Sequence, residues 1–451
     1  MKKFLAFLEN YFMPFAAKLA GQKHLSALKD GIILTMPLII IGSVFLILGY
    51  LPIPGYADFM ANIFGDAWLT KLSYPVDATF NMMGLIAAFG IAYRLAEKYD
   101  IDAITAGAIS LAAFLLATPF NVPFLADGAK EAVQVGGAIP VALMGSKGLF
   151  VAMVIAMLST EIYRLIVQKN IVIKMPDGVP PAVSKSFVAL IPGFVVITVV
   201  WVIRLLIEYL NAKGYFDAAS IHDIVGTVLG GPLGVLGSSL IGSIIAYMLI
   251  MMLWSAGLHG TNIVGGVMNP IWLSNTDENR IAFQAGKELP NIFTSQFFEV
   301  FINIGGTGAT FGLLLLMVFW AKSKQMKELG KLSGGSGTFN VNEPIIYGTP
   351  IVMNPLLVIP FFLTPIVLIV VTYLAMSTGI VAKPAGIAIP WTTPPIIGGY
   401  LATGGHISGA IMQAVSIVIS FFMYLPFFKM WDKLKKKEEA EAEQVEQEQV
   451  Q

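Results

Sequence analysis

Residues 291–321 read NIFTSQFFEVFINIGGTGATFGLLLLMVFWA. The run is longer than the roughly 20 residues that cross a hydrocarbon core, and Gly305, Gly306 and Gly308 sit midway. Such a stretch is either two spans joined tightly or one broken helix. Loop charge decides between them, because short cytoplasmic loops carry the excess of Lys and Arg. Lys322, Lys324, Lys327 and Lys331 follow directly and mark an inner loop. Lys2, Lys3, Lys18, Lys23 and Lys29 place the N-terminus inside, whereas 52–78 sets Lys71 against Asp58, Asp66 and Asp77 and reads outside. Arg164, Lys169, Lys174 and Lys185 mark another inner loop. Apolar stretches at 31–51, 79–96, 103–120, 148–168, 187–209 and 233–257 bring the chain back inside before 291, so 291–321 must cross twice to return Lys322 to the cytoplasm. With 355–377, 407–428 and the inner Lys429, Lys433, Lys435, Lys436 and Lys437, the expectation is an all-α polytopic membrane protein of about ten transmembrane helices, both termini cytoplasmic.

Composition agrees. Of 451 residues, 56% are hydrophobic and 12% charged, with a mean hydropathy of +0.76, more apolar surface than a soluble fold can bury. The 28 basic and 28 acidic residues cancel, which leaves no nucleic-acid footprint. Zero Cys excludes disulfides, thiolate metal sites, iron–sulfur clusters and cysteine nucleophiles, and His24, His222, His259 and His406 have no metal-ligand spacing. No metal and no cofactor are expected. In residues 1–30 the stripe Phe4, Phe7, Leu8, Tyr11, Phe12 and Phe15 reads as an interfacial amphipathic segment. Residues 431–451 form a cytoplasmic charged tail whose Glu/Gln-rich end, 438–451, is expected to be solvated and mobile.

Three apolar stretches are broken by Gly and Pro, and irregular backbone at membrane depth is tolerated only inside protein or along a cavity. The first runs from Trp254 through His259, Thr261, Asn262 and Pro270 to Trp272 and reads as a re-entrant hairpin. The second runs from the Gly-rich 334–337 through Asn340, Asn342, Glu343 and Pro344 to Pro350. The third, Lys383–Gly399 with Pro390, Trp391, Thr392, Thr393, Pro394 and Pro395, reads as another re-entrant hairpin. Paired broken segments in one half of a transporter point to its substrate site.

Glu343 has no base for several residues on either side, and an unpaired acid beside a membrane span is costly unless it meets solvent or substrate. The bland alternative is a loop acid that caps a helix. His259 alone is as well read as a structural imidazole. Together, a carboxylate able to take a proton from a hydroxyl and an imidazole able to orient it suit reaction at a sugar alcohol. Trp254 and Trp391 flank the hairpins, where indole faces stack on sugar rings or anchor at the interface. No P-loop, Ser-His-Asp order or Arg-rich voltage sensor is present. The pairs Glu161 with Arg164 and Arg204 with Glu208 have the spacing of structural ion pairs within helices.

The block Asn342-Glu343-Pro344-Ile345-Ile346-Tyr347-Gly348-Thr349-Pro350, followed by Asn354-Pro355 and Ile359-Pro360-Phe361, resembles the membrane subunit, enzyme IIC, of the bacterial phosphoenolpyruvate-dependent sugar phosphotransferase system, lactose/cellobiose/diacetylchitobiose family. The likeness extends to the spacing of His259 before Glu343 and to the Pro-Trp-Thr-Thr-Pro-Pro hairpin. It implies a disaccharide permease in the cell membrane that presents the sugar's primary hydroxyl for phosphorylation. It also implies a phosphocysteine donor on enzyme IIB, charged through enzyme IIA; since this chain has no Cys, enzyme IIB is a separate polypeptide. Phosphotransfer then occurs only together with that partner. By the same resemblance Glu343 and His259 are the catalytic pair, and Trp254, His259, Asn262, Asn342, Glu343 and Trp391 bind the sugar. The family further implies a homodimer in lipid, with helices one to five (31–215) as scaffold and dimerisation domain and 216–430, with both hairpins, as transport domain. The rival reading is a proton-coupled secondary transporter that releases unmodified sugar.

Overall fold

The structure is a computed structural model that describes residues 14, 18, 21–51, 53–125, 132–176, 178–215, 217–351, 354 and 356–450, the last six as backbone only. The amphipathic stripe expected from Phe4 to Phe15 lies outside the described residues. The fold is all-α and polytopic. Its helices include α1 (Lys23–Ile33), α2 (Met36–Gly49), α3 (Trp68–Phe80), α4 (Met83–Glu97), α5 (Ala103–Ala117), α6 (Leu149–Gln168), α7 (Leu190–Ala212), α8 (Leu240–Ser255), α9 (Gly260–Gln284), α10 (Phe311–Phe319), α11 (Lys324–Thr338), α12 (Glu343–Gly348), α13 (Val358–Ser377), α14 (Ile397–Ala402) and α15 (Ile407–Val450), with further short helices such as Tyr56–Phe64 and Pro181–Val188 between them. One antiparallel hairpin pairs β1 (Asn121–Phe124) with β2 (Val133–Gly136), Asn121 opposite Gly136.

Among the described residues, six continuous helical segments are long and apolar enough to cross a membrane: Lys23–Gly49, Trp68–Glu97, Ser146–Gln168, Pro181–Ala212, Val358–Ser377 and Ile407–Gln444. A broken pair, Ile221–Gly237 with Leu240–Ser255, makes seven if it is one span. The remaining expected crossings fall on shorter or broken pieces, α5 and the halves of 291–321. Large apolar side chains face outward along these helices, Phe194 at 73% exposure and Ile241 at 72% among them, as lipid rather than water requires.

The chain divides into two compact units. In one, Gly21–Phe45 with Leu69–Val235, α4 is the central element and α1, α5 and α6 pack against it. Its buried face is Ala87, Ala88, Ile91, Ala92 and Leu95, small enough for close helix approach. Gly31 fixes the tightest crossing, because a Cβ there would stand 2.4 Å from the Ile91 nitrogen. The two pairs read from spacing are present in this unit: Arg164 Nη2 meets Glu161 at 2.6 Å and Arg204 Nε meets Glu208 at 2.8 Å. Arg204 also donates to the Leu116 and Thr118 carbonyls at the C-terminal end of α5.

The other unit includes Leu46–Trp68 and Leu236–Gln451. Three sequence expectations change here. Within 254–272 the turn is confined to 256–259, and from Gly260 the chain is one helix to Gln284 with Pro270 inside it. The Gly-rich approach 334–337 is also helical, as the last turns of α11. Its small residues are a packing surface: a Cβ on Gly330 would meet Met317 at 2.9 Å and one on Gly337 would meet Leu314 at 2.6 Å, both on α10. The third change is the tail, which continues α15 as helix to Val450. Lys435–Glu438 and Lys437–Glu441 support it at i, i+3 and i, i+4 spacing. Asp432 is buried and accepts from the Lys322 and Ser323 N–H groups, and Glu439 accepts from those of Lys324 and Gln325, so α15 caps α11.

Candidate sugar site

The middle of 291–321 is neither a plain turn nor a plain helix. A π-helical turn, Phe297–Ile302, leads into a loop that ends at α10, a helix of only 9 residues. Gly305, Gly306 and Gly308 all have positive φ, and a Cβ on Gly306 would stand 2.3 Å from the Asn342 side chain. The loop is irregular because another segment lies directly on it. The Asn342 Nδ2 donates to the Thr307 carbonyl at 2.7 Å and to Thr310 Oγ1 at 2.8 Å. Asn342 is thereby buried at 4% exposure and holds the start of α12 against the loop.

Glu343 is the first residue of α12 and is exposed. Among the described residues its carboxylate has no hydrogen-bond or ion-pair partner, and α12 has no side-chain cap, so the capping alternative is not realised. The neighbouring Asn342 amide pins the helix start that carries the acid.

His259 is exposed and is the N-cap of α9, with Nδ1 accepting from the Asn262 N–H at 3.3 Å. In a neutral ring that bond leaves the proton on Nε2. Asn262 contributes its backbone here and its side chain is half-buried. Trp254 lies under the imidazole, ring centroids 4.4 Å apart, and its Nε1 donates to Thr261 Oγ1 at 3.2 Å. The Thr261 and Thr307 hydroxyls are 3.4 Å apart. The α8–α9 turn with Trp254 and His259 is therefore linked through two hydroxyls to the loop that holds Asn342.

The third broken stretch is a hairpin. The chain is non-helical from Lys383 to Pro390, turns at Trp391–Pro395 and returns as α14, with the Ala385 N–H donating to the Ala402 carbonyl at 2.8 Å. Three buried amide side chains hold it. Asn279 of α9 donates to the Pro384 carbonyl at 2.7 Å at the base. Asn340 donates to the Trp391 and Thr393 carbonyls at 2.7 and 2.9 Å at the tip. Gln413 of α15 accepts from the Ile396 and Gly399 N–H groups and donates to the Val300 carbonyl. Ile396 has φ +76, a strained value for a β-branched residue that the two flanking interactions hold in place. The indoles differ: Trp391 is 44% exposed, Trp254 only 3%.

The structure thus brings Trp254, His259, Asn262 and Asn342 into one linked set, sets Glu343 beside it, and ties Trp391 to the same loop through Asn340. Sequence reading passed over Asn279, Thr261, Thr307, Thr310 and Gln413, polar residues inside apolar segments whose only signal is that position. It also passed over Glu299, an acid in the π-helical turn with no hydrogen-bond or ion-pair partner among the described residues; the rule that intramembrane acids are functional would have flagged it.

A multi-pass helical protein whose broken segments are tied together beside a carboxylate with no partner among the described residues is a membrane permease in its architecture. Residues 29–365 match the family described as Phosphotransferase system, EIIC, and the chain belongs to that family. It is 65% identical to the lichenan permease IIC component of Bacillus subtilis (strain 168), over 99% of this chain and 97% of that one. It is 61% identical to the cellobiose-specific EIIC component of Geobacillus stearothermophilus, over 97% and 96%. The crystal structure of the transporter ChbC, the IIC component from the N,N'-diacetylchitobiose-specific phosphotransferase system, superposes with a TM-score of 0.92 at 57% identity, covering 96% of this chain and 99% of that one.

Proposed function

We propose that this permease carries a β-linked disaccharide of the cellobiose or diacetylchitobiose type and presents its primary hydroxyl to a separate, phosphorylated enzyme IIB. The observation that carries the reading is Glu343, exposed and without a partner among the described residues, on a helix start pinned by Asn342, in a chain similar to cellobiose and diacetylchitobiose IIC components. Glu343 accepts the hydroxyl proton as the oxygen attacks phosphorus. The new P–O bond forms while the donor's P–S bond breaks, and the cysteine leaves as thiolate. His259 Nε2–H orients the same sugar, Trp391 stacks on a ring, and Trp254 supports the imidazole from below. Asn262 lines the site beside His259. Positioning and charge do most of the work in phosphoryl transfer, so this set suffices once the donor docks in line. Enzyme IIA recharges enzyme IIB. In this reading the protein is a homodimer in the lipid bilayer, residues 31–215 the scaffold, 216–430 the moving part, both termini cytoplasmic.

The test is uptake of a labelled disaccharide panel into vesicles carrying the protein, with phosphorylated partner proteins supplied or withheld. Phosphorylated internal sugar only in their presence is expected. Accumulation of unmodified sugar that a proton ionophore stops would replace the reading with proton-coupled transport.

A further inference from the structure

Asn340 touches neither of the groups assigned to chemistry, yet both ends of its side-chain amide are bonded. It sits between α11 and α12 at φ +62, a left-handed conformation that Asn tolerates better than most residues. It is 8% exposed. Its Oδ1 accepts from the Gly305 N–H at 2.8 Å, and its Nδ2 donates to the Trp391 and Thr393 carbonyls at the hairpin tip. One amide thus ties the glycine loop to the tip that carries the exposed indole. Two residues later Asn342 ties the same loop, at Thr307 and Thr310, to the start of the helix that carries Glu343.

We propose that Asn340 is a positioning residue that fixes the indole of Trp391 relative to the carboxylate of Glu343, through the loop 305–310 that both Asn340 and Asn342 grip. The Ala385–Ala402 hydrogen bond closes the hairpin far along the chain from its tip and Gln413 holds the returning arm at Ile396 and Gly399, which leaves Asn340 as the side chain that seats the tip at Trp391 and Thr393. A disaccharide held at one ring by an indole and at one hydroxyl by an acid senses that separation directly. Asn340 therefore governs affinity and selection of sugar length without contacting sugar. The inference rests on the reading of Trp391 and Glu343 given above.

The experiment uses the full chain in detergent or nanodiscs. Asn340→Gly removes all three side-chain bonds while glycine accepts the positive φ without strain, and Asn340→Asp keeps the acceptor for Gly305 but loses both donors, which serves if the glycine variant does not fold. Binding of labelled cellobiose and diacetylchitobiose is measured for the wild type, Asn340→Gly, Trp391→Ala and the double variant. Asn340→Gly is expected to weaken binding about tenfold, the scale of lost buried hydrogen bonds, and to add little once Trp391 is gone. Unchanged binding, or losses that simply add, overturns the inference. A sugar-free arm exploits the absence of Cys: a spin label on Thr392→Cys should become more mobile in the Asn340→Gly background, while a label on Leu374→Cys in α13 should not. An immobile tip overturns the tie itself. If Trp391→Ala alone leaves binding intact, the stacking role falls separately, and the label still decides whether Asn340 seats the hairpin.

Discussion

The helices around α4 and the segments around the loop 305–310 satisfy their backbone in opposite ways. Around α4 the chain is regular, every helix closes its own hydrogen bonds, and cohesion comes from Gly and Ala surfaces such as Gly31, Ala87 and Ala88 brought into close contact. Around 305–310 the backbone is irregular, and side-chain amides do the bonding instead: Asn279, Asn340, Asn342 and Gln413 together engage seven carbonyl or N–H groups of the loop and the Trp391 hairpin. The first arrangement resists deformation because packing has no slack. The second holds exposed groups, Glu343, His259 and Trp391, at helix starts and at a hairpin tip. The proposed function assigns chemistry to the second, and that division is open to attack.

The largest effect should come from Glu343→Gln, which keeps size and removes the charge. Phosphorylated product should fall below detection in the partner-supplied vesicle assay while the melting temperature in detergent stays put; turnover near the wild-type rate would end the catalytic role. Gly31→Val attacks the other side of the comparison. Its side chain has no room 2.4 Å from the Ile91 nitrogen, so folding stability should drop by about 3 kcal/mol, the upper range for overpacking. Any protein that does fold should still transport. A stable Gly31→Val variant would show that the close crossing is not what holds α1 to α4. Next comes Trp391→Ala, where sugar affinity should fall by about 1 to 3 kcal/mol with little change in melting temperature, because the indole is 44% exposed. Unchanged affinity would return Trp391 to an interfacial anchor.

How much of this was legible beforehand follows the same line. Regular spans announce themselves by length and hydropathy, so 148–168 and 355–377 were read within a few residues of Ser146–Gln168 and Val358–Ser377. The Pro-Trp hairpin was legible too, since four Pro between 384 and 395 with Gly leave no helix to form between its arms. Breaks were overread where helices accommodate Gly and Pro: Gly334 to Gly337 lie in α11 and Pro270 lies in α9. The tail was read as unstructured from its charge, but Asp432 and Glu439 find the exposed N–H groups of α11, a partner over 100 residues away that no local pattern reveals. Within the site, Glu343 stood out as a lone acid. Asn340, Thr307 and Gln413 did not, because an amide or hydroxyl in apolar sequence shows its role only once its bonding partners are known.

The smallest expected effect separates a charge that fills space from one that works. Glu208 pairs with Arg204 one helical turn away, and Arg204 has a second occupation, donating to the Leu116 and Thr118 carbonyls. Glu208→Gln should therefore cost only about 0.3 to 0.5 kcal/mol, the usual worth of an exposed i, i+4 pair, because the guanidinium keeps its carbonyl partners and the amide can still accept from it. Uptake and product phosphorylation should be unchanged. A substantial loss of transport in Glu208→Gln, with stability intact, would mean that the regular unit contributes a charge to the reaction, and the separation of packing from chemistry drawn here would have to be redrawn around α7.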